Sequence, residues 1–328
     1  MRLDRPKRKT HQAAPFLALL WATLPTACGG GASQPEAQLY LNQVLQILRT
    51  NHLDRATIDW TGLEAQARAT AAGITQISDL KPALQVVFDR LGEPHSFLEM
   101  ADGTLIAAQA QLDCPGSWAD PGTLPADVGY VRITGNFRSP LSRSQLAEAI
   151  LVDIRAQDHD GLVGWVVDLR SNSGGDVWPM LAGIGVLLGE GVAGYVVPPV
   201  GLNIAWSYSA GAARSDGQAV VSVANPLPLR EPNPRVAVLL DNAVASSGEM
   251  IAIAFRGRRD TRSFGHATCG YTTANDTFPL FDGSRLFVAV AHVADRLHIL
   301  YPGAVPVDEE IADPSGVVAR AIEWLRAP

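Results

Sequence analysis

The stretch "RVAVLLDNAVASSGEMIAIAFRG", residues 235–257, sets the reading of the whole chain. It begins as a run of branched apolar side chains ending at Asp241, the mark of a strand buried on both faces. It then opens a second segment on Ser246 and Ser247, with Glu249 in the first turn, and continues as an apolar helix. A buried strand passing directly into a helix is the unit from which α/β domains are built. The junction also places two hydroxyls at a helix start, where backbone N–H groups lack intrahelical partners and the dipole favours negative charge. Those amides suit the oxyanion that forms when a serine attacks a carbonyl. A serine at that position has a plainer use as an N-cap, so the rest of the chain has to decide.

The same alternation recurs on both sides. "VGYVRI" (128–133) reads as a strand, "SRSQLAEAILVDIRAQ" (142–157) as an amphipathic helix, "LVGWVVDLR" (162–170) as a buried strand and "VWPMLAGIGVLLG" (177–189) as a helix. The pattern predicts an α/β domain over 128–328 with a largely parallel sheet. "TFPLFDGSRLFVAVAHV" (277–293) reads as a hairpin turning at Asp282–Gly283, and "PSGVVARAIEWLRAP" as a closing helix. The stretch 199–234 is rich in turn residues and has no clear period. Ahead of the α/β domain, residues 35–96 form a helical unit of three helices. Leu41, Val44, Leu45 and Leu48 mark the first. Thr61 and Glu64 form a capping-box pair for the second. A Ser/Asp cap opens the third, which closes at Gly92. The Pro/Gly-rich segment 115–127 separates the two parts. Trp60, Trp165 and Trp178 read as core packing.

With 328 residues, 47% of them hydrophobic and 18% charged, the chain can bury one large or two modest domains. Its net charge of −7 argues against nucleic acid as a partner. Residues 1–28 are a separate object: a basic start, the apolar "AAPFLALLWATL" and the small "PTACGGGAS" read as an export signal, too short to span a membrane. Cys28 after Ala27 resembles a bacterial lipoprotein box, with Pro25 where an aliphatic residue is usual. Lipidation of Cys28 would be the chain's only tie to a membrane, and a plain cleaved signal is the alternative. Export places the protein on the periplasmic face of a bacterial membrane or outside the cell. Only Cys114 and Cys269 then remain, and in an oxidising compartment they either pair or stay as buried thiols.

Two further stretches could carry chemistry. "DLRSNSGGD" (168–176) ends a buried strand in a turn where Gly174 and Gly175 bare their backbone, letting a ligand carbonyl approach main-chain amides. "LGEPHSF" (91–97) sets His95 just past a helix end, beside a stiffening proline, and an imidazole can take a proton at neutral pH. No histidine makes H-E-x-x-H or a cysteine–histidine zinc spacing, and there is no G-x-G-x-x-G or Walker loop. Neither a metal nor a cofactor is expected.

Taken together, "LGEPHSF", "VVDLRSNSGG" and "VASSGE" resemble the carboxy-terminal processing peptidases, serine peptidase family forty-one, and more closely their tricorn-core and retinoid-binding-protein branch. The resemblance covers about residues 36–328. It implies a crotonase/ClpP-like sheet-and-helix catalytic domain behind a small helical unit. It also implies an acyl-serine peptidase with Ser246 as nucleophile and His95 as base, acting on exported or extracellular peptides and proteins. The backbone N–H of Ser247, with that of Gly174 or Gly175, would form the oxyanion hole. Two departures stand out. Tyr271 occupies the place of the processing branch's lysine. Tyr301 falls where the histidine branch has its acid, which leaves Asp308, Glu309, Glu310 and Glu249 as candidates to orient His95. His266, in the loop "FGHATCGYT", is a second candidate base. His292 and His298 read as structural. Only 31 residues separate Ser96 from Val128, below the about 50 of a small domain, so a PDZ module that grips substrate tails is not expected. The alternatives are a catalytically weak binding protein on the same fold or, on the related crotonase-type fold, acyl-CoA chemistry.

Overall fold

The computed structural model describes residues 35–116, 118–226 and 228–328; the leader and Cys28 lie outside them. Three helices come first: α1 (Glu36–Asn51), α2 (Trp60–Thr70) and α3 (Lys81–Leu91). α1 buries Tyr40, Leu41, Val44, Leu45 and Leu48 along one stripe. The cap of α2 is Asp59, whose side chain accepts from the Gly62 amide at 3.0 Å, so Thr61 lies inside the first turn and not at the cap. A short 3-10 turn over Ile77–Leu80 precedes α3, which carries Pro82 in its first turn and stops at Gly92, φ 75°.

Two short strands follow, β1 (Phe97–Glu99) and β2 (Leu105–Ala107), and then β3 (Val128–Arg132), α4 (Arg143–Gln157), β4 (Gly164–Asp168) and α5 (Val177–Leu188). Next come β5 (Gly191–Val197), β6 (Ile204–Ser209), β7 (Ala212–Ser215), β8 (Gln218–Ser222), β9 (Val236–Leu240) and α6 (Ser247–Phe255). The chain ends with β10 (Thr261–Gly265), β11 (Ala274–Pro279), β12 (Arg285–Asp295), β13 (Glu309–Glu310) and α7 (Val317–Arg326).

The strands make two sheets. One is parallel, in the order β13-β10-β9-β4-β3. Its central strands β4 and β9 are buried at every position, as their uninterrupted apolar runs require. One face packs under α5 and α6, and the other carries Val166, Ala237 and Leu239 against Val318, Ala321 and Leu325 of α7. The second and larger sheet is antiparallel, ordered β2-β1-β12-β5-β6-β7-β8, with β11 on the other side of β12. The fold is therefore mixed α/β with N-terminal helices, where the alternating pattern had pointed to a largely parallel sheet. The difference lies mainly in residues 191–222. Antiparallel strands with one wet face show no apolar run; β6 buries only alternate residues, Trp206 and Tyr208 among them.

The helical stretch and the later strands share one core. Leu41, Leu84 and Phe88 pack with Leu98 of β1 and with Leu286 and Val288 of β12. Residues 35–328 accordingly cluster as one compact unit. This sharing matters for the site, because the turn carrying His95 runs straight into β1, which hydrogen-bonds to β12.

Candidate active site

Ser246 stands between β9 and α6 with φ 54° and ψ −120°. That region is normal only for glycine and costs a serine about 1–3 kcal/mol. The turn is held from several sides. Asp241, at the end of β9, accepts from the amides of Ser171 (2.9 Å) and Ala243 (3.1 Å). Asn172 O accepts from Ala245 N–H at 2.9 Å. Gly248 leaves room for that approach, since a Cβ there would stand 2.6 Å from Asn172 O. The loops after β4 and β9 are thus braced against each other.

The strained turn aims the hydroxyl at His95. His95 Nε2 lies 2.9 Å from Ser246 Oγ, and His95 Nδ1 lies 2.6 Å from Thr273 Oγ1. The side chains come from positions 151 apart in the chain. His95 is buried, its backbone carbonyl accepts from Asn275 Nδ2 at 2.8 Å, and its ring meets the Tyr271 ring edge-on at 5.3 Å. Burial pushes its pKa down to about 4, against the opposing pull of the Glu93 carboxylate. The imidazole is therefore neutral at pH 7 and free to accept a proton.

Glu93 was not singled out in the sequence, although it lies inside "LGEPHSF". Its carboxylate accepts from the His95 amide (2.6 Å) and from the Ser96 amide (2.9 Å) and hydroxyl (2.8 Å). Burial alone would raise this carboxyl; nearby His52 and His95, with these hydrogen bonds, more than offset that and hold it below its usual range. Thr273 was also missed. Its only sequence signal is the Thr-Thr pair just after the Gly-rich loop, and no spacing rule leads to it.

The candidates for an orienting acid are engaged elsewhere. Both oxygens of Glu249 are used on its own surroundings: Oε2 accepts from Ser246 N–H at 2.9 Å, and Oε1 from Thr268 Oγ1 at 2.5 Å and Gly270 N–H at 2.7 Å. This is the carboxylate half of a helix-capping arrangement, and it fixes the Ser246 turn without touching His95. Tyr301 donates to Asp295 at 3.0 Å. Asp308 is held by Ser263 and Arg256, Glu309 by Arg262 and Arg320, and Glu310 faces His266 at 3.6 Å. His266 makes that contact and none to Ser246. Tyr271 does not act in a lysine's place: its hydroxyl donates to Gln111 Oε1 (2.8 Å) and accepts from the Leu112 amide (3.0 Å). The neutral hydroxyl of Thr273 is what meets the far nitrogen of His95.

The glycine turn divides its two amides. Gly174 N–H donates to Asn172 Oδ1 at 3.0 Å, so this amide is spent inside the loop and is withdrawn from the oxyanion set. Gly174 still borders the site closely; a Cβ there would stand 2.8 Å from Ser246 Cβ and 3.2 Å from Ser247 N. Among the described residues, the N–H groups of Gly175 and Ser247 have no acceptor. Ser247 Oγ donates to Gly175 O at 2.7 Å and ties the two amides' residues together. Cys114 and Cys269 are disulfide-bonded, Cα–Cα 5.3 Å. The bond fixes the segment after β2 to the loop carrying Thr268, Gly270 and Thr273. No group of three or more His, Cys, Asp or Glu that could hold a metal occurs among the described residues.

A hydroxyl, a neutral imidazole and two unpartnered amides, gathered around the strand–helix junction at Ser246 from three segments of the chain, can carry out nucleophilic acyl transfer. The fold and this junction together are those of a peptidase family. The family model described as peptidase family S41 matches residues 127–298, just over half of the chain, and the chain belongs to that family. It is 27% identical over 293 residues to the nisin-resistance protein of Lactococcus lactis subsp. lactis, covering 89% of this chain and 88% of that one. It is 25% identical over 186 residues to carboxyl-terminal-processing peptidase 2, chloroplastic, of Arabidopsis thaliana, covering 57% and 31% respectively. A solved lipoprotein from Streptococcus agalactiae shares the fold, with a TM-score of 0.69 at 18% identity over 89% of this chain and 96% of that one.

Thr273→Val keeps the shape of the site and removes the partner of His95 Nδ1. Loss of one hydrogen bond that holds the ring is expected to lower kcat about 10-fold, with Thr273→Ser restoring most of it. Equal rates for Val and wild type would show that burial alone orients the ring.

Proposed function

We propose that this chain is an exported serine peptidase that hydrolyses peptide bonds through an acyl-serine intermediate. The observation that carries the reading is the 2.9 Å contact of His95 Nε2 with Ser246 Oγ beside two open amides. Ser246 Oγ attacks the scissile carbonyl carbon while its proton passes to His95 Nε2. The oxygen that takes up the negative charge is met by the N–H groups of Ser247 and Gly175. His95 then returns the proton to the departing amine. A water deprotonated by His95 releases the acyl group. Thr273 orients the imidazole, and Glu249 positions Ser246.

Substrates are peptides or exposed protein segments outside the cytoplasm. The export-type leader with Cys28 as a lipid attachment site supports this location, as does the disulfide. No helix among the described residues is long and apolar enough to cross a membrane. A nisin-resistance protein that aligns along nearly the whole chain supports a short peptide as substrate.

A fluorophosphonate probe tests the proposal. Wild type is expected to be labelled, with Ser246→Ala unlabelled and His95→Ala labelled far more slowly. A well-folded wild type that takes no label would instead indicate a binding protein on the same fold.

A further inference from the structure

Beside the proposed dyad lies a surface that the reaction does not use. On β1 and β12, Phe97 and Phe287 are register partners and stack with ring centroids 4.3 Å apart. Side chains alternate along a strand, so as Leu98 and Leu286 enter the helical core, these two rings face away from it. Phe137 closes over them edge-on, at 6.0 Å from Phe97 and 6.1 Å from Phe287, and is itself 42% exposed. The cluster adjoins the His95 turn and the glycine loop. Phe97 is two residues past His95. The Phe137 amide nitrogen lies 2.6 Å from where a Gly175 Cβ would stand, so the strap carrying Phe137 packs against the backbone of Gly175.

The rim is cationic. Glu99 is buried and accepts from Arg138 Nε at 2.8 Å and Arg285 Nε at 2.9 Å. One carboxylate between two guanidiniums leaves a net positive charge. Arg138 lies 5.5 Å over the Phe137 ring and Arg285 5.4 Å over Phe287.

Resting on the peptidase reading, we propose that Phe97, Phe137 and Phe287 form the subsite for an apolar side chain of a peptide substrate next to the scissile bond, and that the Arg138–Arg285 rim turns away lysine and arginine there. Phe137 stands on the strap that packs against Gly175, and Phe97 follows the His95 turn, so the cluster adjoins both segments that a substrate would meet. Ring faces reward apolar burial, and the paired guanidiniums repel a like charge.

The test varies each position flanking the cleaved bond among Phe, Leu, Ser and Lys in a peptide set. Wild type is expected to prefer Phe or Leu over Ser by about 10-fold in kcat/KM, with Lys poorest. In Phe137→Ala the ratio should fall to about 2-fold, and in Phe137→Leu most of it should return. A parallel arm measures fluorescence anisotropy of a labelled Phe-containing peptide and its Ser counterpart on Ser246→Ala, with and without Phe137→Ala. If wild type resists fluorophosphonate yet binding of the Phe peptide depends on Phe137, hydrolysis is wrong and the subsite stands. If the probe labels Ser246 while Phe137→Ala leaves both the kinetic ratio and the binding difference unchanged, hydrolysis stands and the subsite is wrong.

Discussion

Ser246→Ala is expected to lower kcat by about 10⁴–10⁶-fold, and His95→Ala by nearly as much, while the double variant is no worse than the poorer single. The reason is the shared step. Without the imidazole the hydroxyl keeps its proton, and without the hydroxyl the imidazole has nothing to activate. Each variant should keep the activity over water that the open amides of Ser247 and Gly175 and substrate binding supply. Losses that multiply across the two variants would mean that the side chains act in separate steps. The pH profile follows from burial. Because His95 titrates at about 4, its basic form prevails from there upward. On this account kcat/KM stays level from about pH 5 through neutrality and falls about tenfold per unit below about pH 4. A break near 6.5 would place the imidazole in solvent contact and remove the stated cause of its low pKa. The same low basicity, with only a hydroxyl on Nδ1, makes this base a weak one, so a modest kcat is expected.

The second large effect is one that wild type conceals. Burial raises Glu249 to about 7 from 4.5, even though hydrogen bonds from Thr268 and from the Gly270 and Ser246 amides pull it down. A raised folded value means that folding takes up a proton between 4.5 and 7. The stability it contributes is full below about 4.5 and is lost as pH rises through about 7. His95 has the opposite sign: its folded value of about 4 lies below its ordinary 6.5. Its contribution is full above about 6.5 and is lost as pH falls through about 4. Each is on the order of 3 kcal/mol, and the two windows overlap almost completely, so together they leave wild-type stability nearly flat from pH 4.5 to 6.5. Glu249→Gln removes one arm. Urea unfolding of that variant should show stability climbing by about 2–3 kcal/mol over this range. His95→Asn should show stability falling by a similar amount. A flat curve for Glu249→Gln would mean that His95 is not perturbed as its burial implies, and a flat curve for His95→Asn would say the same of Glu249.

How far the sequence alone reached depended on the range of the interactions involved. The strand–helix junction at Ser246 and the Gly174–Gly175 turn were legible because each is local: an apolar run, a turn residue, a cap. His95 was legible through its segment and the family resemblance, since nothing local links it to a serine 151 positions away. Gly174 and Gly175 could not be ranked from the sequence, because the choice rests on the single bond to Asn172 Oδ1. Glu249 reads as a possible partner of the imidazole because it is the acid nearest to Ser246 in sequence, whereas the helix turn directs it to the Ser246 amide and to Thr268 and Gly270. Thr273 was invisible because its value lies in where β11 starts. The segment 199–234 hid β6 to β8 because strands wet on one face carry half the apolar signal of buried ones.

The two reactive side chains are presented by different sheets, Ser246 by the parallel one after β9 and His95 by the turn leading into β1 of the antiparallel one. β1 pairs with β2 on one side and, on the other, with β12, nearly two hundred residues later in the chain. Until β12 is in place, one edge of the strand that follows His95 has no partner. The meeting of Ser246 and His95 is thereby tied to strands laid down late in the chain.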